Sequence, residues 1–167
     1  MPVDDAQMRL AAEVGRQLLA RGWRVATAES CTGGLVAGAI TAIPGSSDWF
    51  ERGFVTYSNS AKHEMLGVPA ELIDKHGAVS EPVAAAMASG AVANSAADCA
   101  LAVTGVAGPG GGTTAKPVGM VCFGWVARGI VPRTATRHLT GDRSAVRDAS
   151  VDAALSGLLE LIGEAPL

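Results

Sequence analysis

Apolar residues in this chain recur with two different periods, and where the period changes sets the expected order of elements. Between Asp4 and Gly22, the residues Met8, Ala11, Val14, Leu18 and Leu19 repeat at the spacing of one helix face. Asp4 or Asp5 is placed to cap that helix and Gly22 to end it. Trp23–Ala28 predicts a short strand that runs directly into Ser30. Gly34–Ala42 predicts a buried helix of small residues, closed by Pro44-Gly45. Phe50–Tyr57 has strand character, Asn59–Leu66 makes a helical turn, and a short helix from Pro69 reaches Gly77. Ser80-Glu81-Pro82 combines a capping serine, an early acid and a first-turn proline, so it opens a helix that continues from Val83 to Ala96.

The second half changes character. Cys99–Thr104 is a compact apolar run and predicts a central strand. Val118–Ala127 and Arg133–Leu139 predict paired strands around an Arg128-Gly129 turn. Asp142 or Ser144 caps a last helix whose apolar face is Val146, Ala149, Ala153, Leu155, Leu158 and Leu159. Strands first alternate with helices and then pair as a hairpin. The expected fold class is therefore α/β: a three-layer, single-domain arrangement over residues 1–167, with a mixed β-sheet flanked by helices.

Composition narrows the function. Apolar residues make up 49% of the 167 and charged ones 17%, which excludes a disordered chain. A net charge of -3 argues against nucleic acid as a partner, because phosphate neutralisation needs clustered Lys and Arg. Cys31, Cys99 and Cys122 lie far apart with no CxxC, and no Cys/His spacing suggests a metal site. Residues 1–10 lack the apolar core of a signal peptide, and no apolar run reaches membrane-spanning length. The expectation is a cytoplasmic protein with free thiols and no membrane partner.

Candidate chemistry concentrates where strands end. Ser30, in Ala28-Glu29-Ser30-Cys31-Thr32-Gly33-Gly34, follows a strand and precedes a helix. It reads equally as an N-cap or as a nucleophile beside free backbone N–H groups. The G-x-S-x-G elbow and the Ser-x-x-Lys pattern are both absent, so a nucleophilic Ser30 needs a base from elsewhere. Tyr57 and Lys62 are the candidates, a lysine in an apolar pocket being able to act as a neutral base and a tyrosine hydroxyl between lysine and serine being able to relay the proton. Taken alone, Lys62 reads as a solvated surface lysine. Thr104 leads into Gly105–Gly112, a loop too glycine-dense for regular structure and placed where open α/β sheets bind ligands. Arg143, in Gly141-Asp142-Arg143, or Arg147 can grip a phosphate, against a reading of Asp142 as cap beside solvated arginines.

Taken together these segments resemble one family, the C-terminal domain of the CinA competence/damage-inducible proteins. The matching stretches are AESCTGG at 28–34, PGSS at 44–47, Tyr57-Ser58-Asn59 with Lys62, GAVSE at 77–81, TGVAGPGGG at 104–112, KPVG at 116–119 and GDR at 141–143. They occur in the family's order and span nearly the whole chain. The N-terminal domain of the longer family members is absent, which predicts a single-domain form. An aromatic commonly precedes the GDR segment, whereas His138-Leu139-Thr140 stands here.

The resemblance implies an amidohydrolase that converts nicotinamide mononucleotide to nicotinate mononucleotide and ammonia. It assigns Ser30 as nucleophile and Lys62 with Tyr57 as the groups that activate it. Backbone N–H groups around Thr32, Gly33 and Gly34 are the expected oxyanion site. Thr104, Gly105, Gly108, Gly110 and Arg143 are expected to position the nucleotide. No metal or organic cofactor is implied. With the alanine- and glycine-rich helices, the resemblance also implies a homodimer or larger homo-oligomer. Two other readings stand beside it: a nucleotide-binding or regulatory module without turnover, and the same chemistry on another small amide.

Overall fold

The computed structural model describes residues 3–166. Helix α1 (Asp5–Arg21) is capped by Asp4, whose side chain accepts from the Gln7 N–H, and Gly22 ends it in the left-handed region. Strand β1 (Val25–Glu29) is followed by α2 (Leu35–Thr41), a 3-10 turn at Ser46–Asp48 and β2 (Phe50–Val55). Three helices come next: α3 (Asn59–Leu66), α4 (Ala70–His76) and α5 (Glu81–Ala93). Then come β3 (Cys99–Gly105), β4 (Met120–Ala127), β5 (Arg133–His138) and the long α6 (Arg143–Glu164). Ser80 caps α5 and Asp142 caps α6.

The five strands form one sheet in the order β2-β1-β3-β4-β5. The strands β2, β1 and β3 are parallel, while β4 and β5 return antiparallel. The carboxyl ends of β1, β2 and β3 therefore meet at one edge. The turn after β1, the segment after β2 and the glycine-rich loop after β3 all leave from that edge, as ligand-binding segments do in open α/β sheets. The strand β5 ends there too and delivers the first turn of α6.

Strand alternation divides the core into two unlike halves. On one face, Val25, Leu101, Val103, Phe123 and Trp125 pack against α1, α2 and α6. On the other, Ala26, Ala28, Ala100 and Ala102 meet α5, with α3 and α4 outside it. The second half is built from methyl groups, so its helix lies close to the sheet. A Cβ on Gly124 would stand 2.4 Å from the Ala84 carbonyl oxygen, and one on Gly90 would stand 2.0 Å from that of Leu66. Glycine at both positions is what the close approach demands.

The expected elements are all present, with corrections of detail: α5 stops at Ala93 rather than Ala96, and α6 buries Val151, Ala154, Leu161 and Ile162 rather than the expected Ala149, Ala153 and Leu159. The buried stripe of α1 is Gln7, Ala11, Val14, Gly15 and Leu18, whereas Leu19 is 53% exposed. The Trp49 indole lies over Gly15, within 2.6 Å of where a Cβ would be, so that position of the buried face holds glycine. The strand β2 stops at Val55, so Tyr57 belongs to the connection rather than to the sheet.

Candidate active site

Ser30 follows β1 by one residue, and its N–H donates to the Val103 carbonyl at 3.0 Å, continuing the pairing with β3. The chain then turns sharply through Gly33 and Gly34, both at positive φ, before α2 begins. Ser30 Oγ lies 3.1 Å from Lys62 Nζ and 3.5 Å from the Tyr57 carbonyl oxygen. Lys62 sits in the first turn of α3, whose cap Ser58 accepts from the Ala61 N–H. Its side chain runs inward from that turn and is only 1% exposed. The ammonium nitrogen also donates to the carbonyls of Thr56 at 3.0 Å and Tyr57 at 3.2 Å.

Burial holds the Lys62 amine below its ordinary pKa, because removing an ammonium from water disfavours the charged form. Among the described residues no carboxylate is paired with it to oppose that shift. The neighbouring Cys31 thiol is itself pushed up by burial to about 11, so it stays protonated at neutral pH and brings no counter-charge. A lysine that touches a serine hydroxyl in a dry place, with carbonyls on its other hydrogens, has the construction of a base for that hydroxyl.

Ser30 and Lys62 open into a cavity of about 210 Å³, lined also by Cys31, Tyr57, Asn59, Ala78, Val79, Thr104, Gly105, Ala107 and Arg143. No acid and no histidine is among these lining residues. Thr104 closes the floor, with its hydroxyl donating to the Ala78 carbonyl at 2.9 Å. Arg143 crosses the mouth: Nη1 donates to the Gly108 carbonyl at 2.8 Å and Nη2 to the Tyr57 hydroxyl at 3.4 Å. Beyond it lies a second hollow of about 490 Å³, lined by Ala107, Pro109, Val118 and the first turn of α6. Ala107 and Arg143 belong to both hollows.

Six of the residues singled out in the sequence thus line one cavity: Ser30, Tyr57, Lys62, Thr104, Gly105 and Arg143. Gly108 joins through its carbonyl, while Gly110 is exposed and away from the lining. Arg147 also leaves the cavity to Arg143: it donates to the carbonyls of Cys31 at 3.1 Å and Thr32 at 3.3 Å, clamping the turn behind the serine.

Two of the three expected oxyanion N–H groups are already engaged. None of Thr32, Gly33 and Gly34 lines the cavity. The Gly33 N–H donates to the Ser30 carbonyl and the Gly34 N–H to the Glu29 carboxylate, so neither is free. Nor does the Tyr57 hydroxyl stand between Ser30 and Lys62. It points to Arg143, its residue is 63% exposed, and only the Tyr57 carbonyl reaches the lysine.

Glu29 is the residue that sequence reasoning missed. It is 1% exposed, and its carboxylate accepts four hydrogen bonds from Thr32 Oγ1 and the N–H groups of Gly34, Val36 and Ala37. An acid in the last position of a buried strand, five residues before a glycine helix cap that has no side chain to offer, is the signal that could have found it.

The ordered segments around this cavity match a known family. The CinA C-terminal domain description fits residues 7–162. The chain belongs to the CinA C-terminal domain family. A relative from Enterobacter agglomerans named nicotinamide-nucleotide amidohydrolase PncC is 52% identical over 92% of this chain and 94% of its own length. The protein of that name from Escherichia coli K12 is 52% identical over 93% and 94%. A protein from Symbiobacterium thermophilum named putative competence-damage inducible protein is 56% identical over 86% of this chain, which spans 35% of that longer protein. Among solved structures, the competence/damage inducible protein CihA from Agrobacterium tumefaciens superposes with a TM-score of 0.93 at 45% identity, covering 96% of this chain and 98% of that one. The two chains thus share the fold described above.

Proposed function

We propose that this chain is an amidohydrolase that removes the carboxamide nitrogen of nicotinamide mononucleotide, with Ser30 as nucleophile and Lys62 as its base. The observation that carries this reading is the 3.1 Å contact between Lys62 Nζ and Ser30 Oγ in a buried place. The names of the 52% identical relatives supply the substrate.

In its neutral form the Lys62 amine keeps two hydrogens, which the Thr56 and Tyr57 carbonyls accept. Its lone pair is left facing Ser30 Oγ. Lys62 takes the hydroxyl proton as Oγ attacks the carboxamide carbon, and the two carbonyls then stabilise the ammonium that forms. Collapse of the tetrahedral adduct breaks the C–N bond, and Lys62 returns the proton to the departing nitrogen, which leaves as ammonia. Water attacks the resulting ester as Lys62 takes its proton; the C–Oγ bond then breaks, Lys62 returns that proton to Ser30 Oγ, and the acid product loses its own proton to solvent as the carboxylate.

Arg143 is the cationic group at the mouth and the reading places the mononucleotide phosphate beside it, in the outer hollow. Thr104 and Gly105 form the wall against which the pyridine ring lies. We further propose that the domain acts as a homodimer in the cytoplasm. Its alanine-rich helices support the first part, and the free thiols support the second. Ammonia release from nicotinamide mononucleotide tests the central claim. Wild type is expected to release it and to form the hydroxamate when hydroxylamine is added, while Ser30→Ala does neither. Saturable binding of the nucleotide with no release by wild type would mark a non-catalytic module, and release by Ser30→Ala at the wild-type rate would remove the nucleophile assignment.

A further inference from the structure

A serine between a strand and a helix ordinarily spends its hydroxyl on the helix, accepting from the first-turn N–H groups. Here Ser30 does not. The cap of α2 is Gly34, which has no side chain to offer, and the duty has passed back to Glu29. One carboxylate oxygen accepts from Thr32 Oγ1 at 2.6 Å, the Gly34 N–H at 3.3 Å and the Val36 N–H at 2.9 Å. The other accepts from the Ala37 N–H at 3.0 Å. The same residue grips the lysine side of the site through its backbone. Its carbonyl accepts from the Thr56 N–H at 2.7 Å and from Thr56 Oγ1 at 3.4 Å, and the Thr56 carbonyl in turn holds Lys62 Nζ.

We propose that Glu29 is a positioning residue for the amide hydrolysis described above: by capping α2 itself, it releases the Ser30 hydroxyl from that duty and keeps it on Lys62. The inference rests on the amidohydrolase reading. Without the carboxylate, three N–H groups at the start of α2 lose their acceptor in a nearly dry place. Ser30 and Thr32 are the hydroxyls of the turn, and Thr32 has lost its own partner as well. Rotation of Ser30 about χ1 toward the helix then supplies the missing cap and abandons the 3.1 Å contact with Lys62. The same four hydrogen bonds explain why the start of α2 is no anion site: its donors are already taken by the buried Glu29 side chain.

The test uses Glu29→Gln, which keeps the shape but turns an NH2 group toward N–H donors, and Thr32→Val, which removes a single donor from an intact carboxylate. Two readouts are followed, kcat and KM for ammonia release, and the rate at which an arylsulfonyl fluoride labels Ser30, with Ser30→Ala as the unlabelled control. Glu29→Gln is expected to lose about 100-fold in kcat and in labelling rate, with KM held within about threefold, as misplacement of a reacting group by an ångström does. Thr32→Val is expected to lose about three- to tenfold in the same two quantities. The labelling rate of wild type should fall in acid as Lys62 protonates, and Glu29→Gln should flatten that dependence. Circular dichroism gives the folded fraction. Labelling and kcat within threefold of wild type in both variants overturn the proposal, as does a loss that only tracks the unfolded fraction. Should Glu29→Gln not fold, Thr32→Val decides alone. A wild type that is labelled but releases no ammonia would sink the amidohydrolase reading and leave the role of Glu29 to be scored by labelling. A wild type that does neither overturns both.

Discussion

Lys62 Nζ and the Ser30 Oγ it touches are 32 residues apart in the chain, yet both are held from the same stretch of backbone, the carbonyls at the end of β2. The Tyr57 carbonyl accepts from the lysine at 3.2 Å and from the serine hydroxyl at 3.5 Å. This shared acceptor fixes the lysine relative to the hydroxyl through the backbone alone. Replacing Lys62 by Met keeps the volume and removes the base. The rate of ammonia release is expected to fall roughly 10²–10⁴-fold, the usual weight of general-base catalysis. Nucleotide binding by calorimetry should change little, and a loss under tenfold would assign the base elsewhere.

The pH dependence follows from the direction of the lysine's shift. Burial lowers the Lys62 pKa in the folded state, and in the proposed mechanism the working form is the neutral amine. The rate should therefore rise with pH through that lowered value and level off above it, with no such limb in Lys62→Met. Stability carries the same sign. Between the lowered value and the ordinary 10.5, the unfolded chain holds a proton that the folded one has released. Wild type is thus expected to gain stability relative to Lys62→Met as pH rises through this window, read from urea midpoints at neutral and alkaline pH. A gap between the two proteins that does not change with pH would show that the lysine titrates alike in both states.

The Arg143 guanidinium and the Tyr57 hydroxyl are partners at the mouth. Tyr57→Phe and Arg143→Met should each raise KM for the mononucleotide, with the larger effect at the arginine. In a double-mutant cycle the pair should couple by roughly 0.5–1.5 kcal/mol in binding, in the range of contacting side chains. Additive effects would mean that the two act separately.

Thr27 is buried on β1, and its hydroxyl is the one buried side-chain polar atom without a hydrogen-bond partner among the described residues. Thr27→Val exchanges that hydroxyl for a methyl of similar shape. It is expected to leave stability unchanged or to raise it by about 1 kcal/mol, read from the urea midpoint. A clear loss would reveal a partner for the hydroxyl in solution.

Gly90 on α5 faces the Leu66 carbonyl oxygen. Ordinarily Gly→Ala inside a helix stabilises. Here the added Cβ would stand 2.0 Å from a backbone oxygen, so Gly90→Ala is expected to cost about 1–3 kcal/mol. A stabilised variant would show that α3 and α5 separate easily.

Much of this was legible in the chain. Caps at Asp4, Ser80 and Asp142 and the stop at Gly22 are local chemistry, and each helix begins or ends there. The switch from alternating elements to a hairpin announced a mixed sheet. Ser30, Lys62 and Arg143 were legible as candidates, but composition alone left Ser30 undecided between cap and nucleophile, because that choice turns on which oxygen reaches the α2 N–H groups. Glu29 took them, and nothing in its own residue type says so. The Tyr57 hydroxyl was misplaced for a similar reason: β2 ends two residues early, and the ring leaves toward α6. Leu19 fits the helical repeat as well as Leu18 does, and only the packing of α1 against the rest of the fold tells the two apart.

The methyl-lined half of the core has a consequence for the cavity. Ala78 and Val79, which form one of its walls, immediately precede the helix that rests on Ala26, Ala28, Ala100 and Ala102. Those alanines act as a shim: their thickness sets how high α5 rides over the sheet, and so how far that wall stands from Ser30. Exchanging one for a larger residue would tilt the helix and widen the chamber without touching any group that meets the substrate. Breadth of substrate can thus be tuned from the interior, at positions that carry no chemistry of their own.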